Sequence, residues 1–170
     1  MLPTESPAET HSTPQLHHIE AQTSLVERPL RTLKSGDAFA VMSSYGDISV
    51  AGGTPEGLFF RDTRYLSHFE LLFDAQRPLL LGSVIQDDNA ALLVDLANPD
   101  LYLEDAEKAI LHNTIAIDRT KLLSGSTCHE RIGFKNFDRI SRRFRVDLRF
   151  DADFRDLFEV RGARLSLIHI

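Results

Sequence analysis

From Pro29 to Phe150 the chain alternates repeatedly between apolar and polar residues with a period of two. This period is typical of half-buried strands, because successive side chains of a strand point to opposite faces. Gly, Asn, Asp, Pro and Ser separate the alternating runs, as they do in turns. The best helix candidate is short, residues 102–110. The pattern therefore predicts a mainly β chain.

The first half of the pattern predicts a hairpin followed by one long extended stretch. Ala38–Met42 and residues 48–50 are expected to pair through a turn at residues 43–47, where Gly46 can take a positive φ. Residues 58–73 follow as a single extended segment. One face of that segment is expected to carry Tyr65, Ser67, Phe69, Leu71 and Phe73.

The second half predicts several more strands, ending with the longest. Four runs precede the last one: a buried strand at residues 79–85, a strand at residues 91–96, and alternating runs at residues 109–119 and 128–134. In the last run, residues 140–150, the apolar side chains are expected to face inward and the arginines outward. The inward set is Ile140, Phe144, Val146, Leu148 and Phe150. Long strands joined by short turns indicate an antiparallel β-sandwich.

Composition divides the chain into three parts. Residues 1–28 are rich in Pro, Ser, Thr, Glu and His, and such a segment buries too little apolar surface to offset its ordering entropy. A disordered N-terminal tail is therefore expected there, followed by a β-sandwich domain over residues 29–164. Residues 165–170 form an atypical end, which predicts a truncation.

Charge and composition exclude several functions. The net charge of −6 argues against binding to nucleic acid or an anionic membrane, which requires a basic face. There is no apolar run long enough to span a bilayer and no secretory signal, so a cytoplasmic location is expected. Cys128 is the only cysteine, which fits a reducing compartment, and a buried apolar role suits it better than a nucleophilic one.

Recognisable catalytic and cofactor motifs are absent from the sequence. Gly52–Gly53 lacks the Lys and Ser/Thr of a phosphate loop, and there is no nucleophile elbow or zinc-protease motif. His17 and His18 lack further ligands at metal-binding spacing. No cofactor and no metal are predicted.

Two acidic pairs have the residue type that glycoside hydrolysis needs. These are Asp87 with Asp88, and Asp151 with Asp153. Acids in turns more often bond to backbone amides, so neither pair is assigned a catalytic role.

Asp62 and Arg64 would share one face if residues 62–64 were extended. Each could then pair with a cross-strand neighbour as part of a structural ion pair. Alternatively, the two side chains could contact a following domain or a sugar hydroxyl.

Residues 151–162 are the densest charged segment, and they also contain apolar residues such as Phe154 and Phe158. Aromatic anchors among charges suit docking onto another domain. Asp153, Glu159 and Arg161 are the candidate contacts. A capped surface turn would explain the same composition.

Six runs together resemble one family, the N-terminal domain of bacterial glycogen-debranching-enzyme-like proteins, which are relatives of amylo-alpha-1,6-glucosidase. The runs are residues 33–41, 46–48, 57–59 together with 62–67, 78–81, 98–100 and 151–162. They occur in family-like order and spacing from Leu33 to Gly162.

The resemblance implies a supersandwich-like β-domain that precedes an (α/α)-barrel catalytic domain. In that arrangement the catalytic acid and base belong to the barrel, so no catalytic residue is carried over to this chain. The implied function is that of a non-catalytic accessory domain of an α-glucosidase, a glycoside hydrolase. Its expected partners are the missing catalytic domain and an α-glucan oligosaccharide at the substrate cleft. The family continues past Gly162 with Arg and Gly residues, which residues 165–170 do not match.

Two other functions are compatible with a β-domain of this kind. A free-standing carbohydrate-binding module usually stacks sugars on exposed aromatic rings, whereas this chain has no Trp and only three Tyr. A protein-interaction domain would leave an apolar face exposed in the absence of its partner.

Overall fold

The computed structural model of the protein describes residues 29–50, 53–102 and 110–162. The described part is mainly β, as predicted, with several antiparallel sheets and one short helix, α1 (Leu157–Val160). The strands are β1 (Arg31–Ser35), β2 (Ala38–Met42), β3 (Gly57–Phe60), β4 (Thr63–Leu66), β5 (His68–Phe73), β6 (Leu79–Ile85), β7 (Ala91–Ala97), β8 (Ile115–Ser124), β9 (Thr127–Asn136) and β10 (Val146–Asp151).

One four-stranded sheet has the order β1-β2-β3-β4. Its first hairpin joins β1 to β2 through Gly36, whose φ of 57° suits a residue without a Cβ. The predicted pairing of β2 with residues 48–50 is therefore wrong. Ile48 instead bridges Phe69 of β5 through two backbone hydrogen bonds of 2.9 Å.

The second four-stranded sheet is the antiparallel meander β6-β7-β8-β9. The sequence predicted its four strands, although β8 starts at Ile115 and Leu111 is exposed rather than inward. The β8–β9 hairpin turns at Gly125, with a φ of 57°, where turn residues had indicated it.

The third sheet consists, among the described residues, of β5 and β10, which pair antiparallel from Val146↔Phe73 to Asp151↔His68. The predicted long strand over residues 140–150 is thus wrong in length, because β10 covers only six residues. It is also wrong in burial, since Ile140, Leu148 and Phe150 are exposed. Alternation located the two faces of the strand but not whether anything covers the apolar one.

Residues 58–73 form three strands rather than one extended segment. Arg61 and Asp62 both have positive φ, 47° and 63°, and they make the two-residue turn between β3 and β4. The chain bends again at Ser67 and enters β5 in a different sheet.

An apolar core lies between the three sheets. Leu33 of the first sheet, Phe73 of the small sheet and Ile117 of the meander are all buried within it. Burial of such side chains contributes roughly 1.5–3 kcal/mol each, and this packing holds the loops at the sheet ends in place.

Some predictions fall outside the described residues. These are the disordered tail with His17 and His18, most of the helix candidate at residues 102–110, and the atypical end at residues 165–170. In the part of the chain that is described, no helix has the length and apolarity to cross a bilayer.

Candidate functional site

Two segments far apart in sequence meet through Arg64 and Asp153. The Arg64 Nε donates to Asp153 Oδ1 at 3.0 Å, and the Arg64 Nη2 donates to Asp153 Oδ2. This two-pronged geometry is the strong form of an arginine–carboxylate pair. The Arg64 side chain is only 3% exposed, so the pair fixes the position of Asp153.

Gly57 makes room for the stem of Arg64. A Cβ at Gly57 would lie 2.5 Å from Arg64 Cδ and 2.8 Å from Phe59 Cε2, closer than real contacts allow. The Arg64 Nη1 also donates to the carbonyl of Glu56 at 3.2 Å. Glu56 and Gly57, at the start of the β3–β4 hairpin, therefore contact the Arg64 side chain.

Backbone hydrogen bonds join the same two segments. The Arg64 amide donates to the Arg155 carbonyl at 2.9 Å, and the Leu157 amide donates to the Asp62 carbonyl at 2.7 Å. Thr63 and Asp156 also form an isolated antiparallel bridge. We call this junction between residues 61–65 and residues 151–162 the clasp.

The sequence analysis expected Asp62 and Arg64 to share a face if residues 62–64 were extended. In the structure they do not lie on a common strand face. Asp62 lies in the β3–β4 turn with an exposed side chain, and it contributes to the clasp through its backbone carbonyl. Arg64 does form a structural ion pair, one of the two alternatives for this residue, and its partner is Asp153 on the segment that pairs with the start of β4.

Glu159 and Arg161 lie in and beside α1, at the end of the clasp. The Asp156 side chain accepts from the Phe158 amide at 2.8 Å, while Glu159 accepts from the Asp156 amide at 3.3 Å. This reciprocal capping box stabilises the helix start. Arg161 is the exposed C-cap residue. The capped turn expected as one explanation of this segment is therefore present.

The electrostatics of the clasp favour the charged form of Asp153. Hydrogen bonding to Arg64 is the main cause that lowers the pKa of the Asp153 carboxyl below its usual value. The carboxylate thus stays ionised at neutral pH and is a poor candidate for a proton donor in catalysis.

A cavity of about 280 Å³ opens beside the ion pair. Its charged walls combine Arg64 and Arg155 with Asp151 and Asp153, so the four formal charges cancel. The remaining lining residues are Val50, Gly53, Thr54, Ser67 and Val160. Such a charge-balanced polar cavity suits a neutral ligand that both donates and accepts hydrogen bonds.

The clasp itself carries exposed aromatic side chains. Tyr65 and Phe154 contact each other edge to face, with ring centroids 5.8 Å apart. Phe154 is 64% exposed and Phe158 of α1 is 58% exposed. Phe154 also has a φ of 52°, which costs a bulky residue about 1–2 kcal/mol. The fold thus holds an aromatic ring toward solvent in spite of a strained backbone.

A buried charge cluster lies away from the clasp, and sequence reasoning missed it. The Arg119 guanidinium bonds Asp47 Oδ1 at 2.6 Å and Glu130 Oε1 at 2.7 Å, and Lys121 bonds Glu130 Oε2 at 2.6 Å. Arg77 completes the cluster with a 3.1 Å bond to Asp47. Arg119 and Lys121 share the buried face of β8 with Ile117 and Leu123, so the sequence signal for the cluster was only their place on that inward face.

Other sequence candidates find no support as reactive groups. Cys128 is half-buried against the core, and burial raises the pKa of its thiol. Asp88 accepts a hydrogen bond from the Ala90 amide, as turn acids usually do. Across residues 29–50, 53–102 and 110–162 there is no group of three His, Cys, Asp or Glu side chains that could hold a metal.

Comparison with known protein families identifies a match for most of the chain. A family model described as the N-terminal domain of some glycogen debranching enzymes matches residues 33–168. This match confirms the resemblance seen in the six sequence runs, and it includes both sides of the clasp. A search of curated protein sequences finds no match to the chain.

Proposed function

Because the chain belongs to the family of N-terminal domains of glycogen debranching enzymes, we propose that it is the accessory domain of a debranching-type glycoside hydrolase. In this proposal the chain has no catalytic residue of its own. It braces an amylo-alpha-1,6-glucosidase-type catalytic domain and shapes one wall of its α-glucan cleft.

The clasp is the observation that carries the proposal. It joins the family-like runs at residues 62–67 and 151–162 through a two-pronged ion pair and backbone hydrogen bonds. At this junction the exposed rings of Tyr65, Phe154 and Phe158 supply the kind of aromatic anchors that are enriched at protein interfaces. A buried ion pair below them fixes the surface without taking part in chemistry.

The cavity supports a contact to the glucan itself. A glucan hydroxyl is neutral and both donates and accepts hydrogen bonds, which matches the balanced charges of Arg64, Asp153, Asp151 and Arg155. The volume of the cavity, about 280 Å³, is near the lower end for ligand pockets, so the cavity would hold about one sugar ring. Of the predicted site residues, Arg64 and Asp153 are thus proposed as both structural and cleft-forming.

The test is binding of this chain to the catalytic region of a glycogen debranching enzyme, expressed separately. We expect complex formation in titration calorimetry and a loss of at least about tenfold in affinity for Phe158→Asp, since a charge would be buried in the interface. Phe137→Asp is the matched control, because Phe137 is 61% exposed but lies outside the clasp.

Two results would contradict the proposal. One is release of glucose from isomaltose or maltotriose by the purified chain alone. The other is equal loss of binding in Phe158→Asp and Phe137→Asp, which would show that the clasp surface is not the interface.

A further inference from the structure

The outer edge of β10 has no partner within residues 29–50, 53–102 and 110–162. β10 pairs only with β5, and β5 continues on its other side to the bridge at Ile48. A strand edge of this kind presents unpaired amides and carbonyls that can pair with another strand.

The apolar face of β10 becomes more exposed along the strand. Val146 is half-buried, whereas Leu148 is 46% exposed and Phe150 is 72% exposed. Leu71 and Phe73, the partners of Leu148 and Val146 on β5, are buried in the core. No part of the chain that the structure describes therefore fully covers the apolar face of β10 at Leu148 and Phe150.

The backbone amides and carbonyls of β10 point alternately toward β5 and toward the free edge. The carbonyls of Arg145 and Asp151 accept bonds from the amides of Asp74 and Ser67 on the β5 side. Since antiparallel strands alternate, the amides and carbonyls of the even-numbered residues 146, 148 and 150 point toward the free edge. These six groups are positioned for a new antiparallel neighbour.

The charges of β10, together with Arg145 just before it, are self-complementary about Leu148. Reading outward from Leu148, Asp147 is matched by Arg149, and Arg145 is matched by Asp151. An antiparallel second copy centred on Leu148 would place every Arg opposite an Asp. It would also place Leu148 against Leu148 and Val146 against Phe150 on the apolar face.

Neighbouring registers lack this match. Centring the pair on Asp147 opposes Asp147 to itself and Arg145 to Arg149, while centring it on Arg149 opposes Arg149 to itself and Asp147 to Asp151. Like charges directly opposite each other destabilise a sheet. Charge therefore selects Leu148 as the twofold centre among these three.

We propose that the free edge of β10 pairs with β10 of a second copy of this chain in a twofold dimer centred on Leu148. The two small sheets join into one four-stranded sheet with the order β5-β10-β10-β5. The interface is self-complementary, as a twofold contact must be. This proposal goes beyond the function proposed above: β10 pairing shares Asp151 with the clasp but uses neither Arg64 nor the clasp aromatics.

The test is analytical ultracentrifugation of the whole chain between about 1 and 200 μM, which brackets the affinity expected for a small interface. The wild type should dimerise across this range. Asp147→Arg should weaken dimerisation by more than about tenfold, because the substituted side chain faces Arg149 of the second copy at two symmetric positions. The swap Asp147→Arg with Arg149→Asp restores opposite charges and should restore the dimer.

Asp95→Arg is the matched control, since it makes the same charge change at an exposed position on β7. It should leave the dimer unchanged. Hydrogen exchange should slow at the amides of Val146, Leu148 and Phe150 as concentration rises. A monomer at all concentrations, or a dimer that Asp147→Arg leaves intact or that the swap does not restore, would overturn the proposal. Exchange protection of these amides in a monomer would overturn it as well, because the edge would then be covered within the same chain.

Discussion

The Arg64 guanidinium shows at the scale of one residue how this chain combines stability with a candidate site. Its stem occupies the space that Gly57 leaves, and its charged end is compensated by Asp153. A buried cation without a partner is costly, whereas a two-pronged pair recovers that cost through hydrogen bonds and charge attraction. The same pair forms one wall of the polar cavity.

Asp153→Asn should destabilise the domain by about 3 kcal/mol, because it leaves the Arg64 charge buried without a counter-charge. Urea unfolding at neutral pH measures the loss. Asp151→Asn is the control, since Asp151 is exposed and its carboxylate accepts from the adjacent Ala152 amide. Equal effects of the two substitutions would contradict the role of the ion pair.

Asp153→Asn should also change how the stability of the domain depends on pH. The pKa of Asp153 is lowered in the folded state from an ordinary value of 3.8, so the unfolded chain binds this proton more readily. The stabilisation is therefore present above pH 3.8 and is lost as pH falls through the lowered pKa. Urea midpoints measured from pH 6 downward, about one pH unit apart, should fall less steeply for Asp153→Asn than for the wild type.

At the scale of elements, the β3–β4 hairpin controls the clasp. Its two-residue turn places Arg61 and Asp62 in the left-handed region, which matches the strand twist but strains residues with a Cβ. The turn directs Arg64 inward and offers the Asp62 carbonyl to Leu157. The clasp thus depends on a turn formed by Arg61 and Asp62, although this turn type prefers Asn and Gly.

Replacing the turn by Arg61→Asn with Asp62→Gly should stabilise the domain by about 1 kcal/mol, because Asn-Gly suits this turn type. Thermal and urea unfolding measure the gain. The Asp62 carbonyl that bonds Leu157 remains. Arg61→Ala is the control, because it removes the exposed Asp37 ion pair without relaxing the turn. A gain from Arg61→Ala as large as that from the double change would refute the backbone explanation.

At the scale of the whole molecule, the buried charge cluster ties the sheets together. Asp47 lies in the loop between β2 and Ile48, Arg119 and Lys121 lie on β8, and Glu130 lies on β9. The Arg119 guanidinium also donates to the Tyr45 carbonyl at 2.8 Å. Charges with several buried partners specify one relative placement of loop and sheet, whereas apolar packing alone tolerates more alternatives.

Arg119→Met should therefore destabilise the domain by about 3–5 kcal/mol, since it leaves the Asp47 and Glu130 carboxylates short of partners. Urea unfolding followed by circular dichroism measures this loss. Arg131→Met is the matched control at an exposed position of the adjacent strand β9. A loss below about 1 kcal/mol for Arg119→Met would show that the cluster is not needed to fix the loop.

The sequence by itself determined the strand content, the meander from β6 to β9 and the family, because these depend on local alternation, turn residues and runs of recognisable order. It also singled out Arg64 and Asp153 individually. Their pairing across 89 positions was not predictable, because alternation states which face a residue occupies and not which distant residue it meets. For the same reason, only the tertiary structure showed that β2 pairs with β1 and that Asp62 lies in a turn.

Only the tertiary structure also decided how far each apolar face is buried. Leu33 and Phe150 fit equally regular patterns, yet one is fully buried and the other is 72% exposed. Burial depends on what packs above a strand, and that is set by the arrangement of all three sheets. The sequence specified the strands and their faces, and the packing of the sheets decided which faces remain open to a partner.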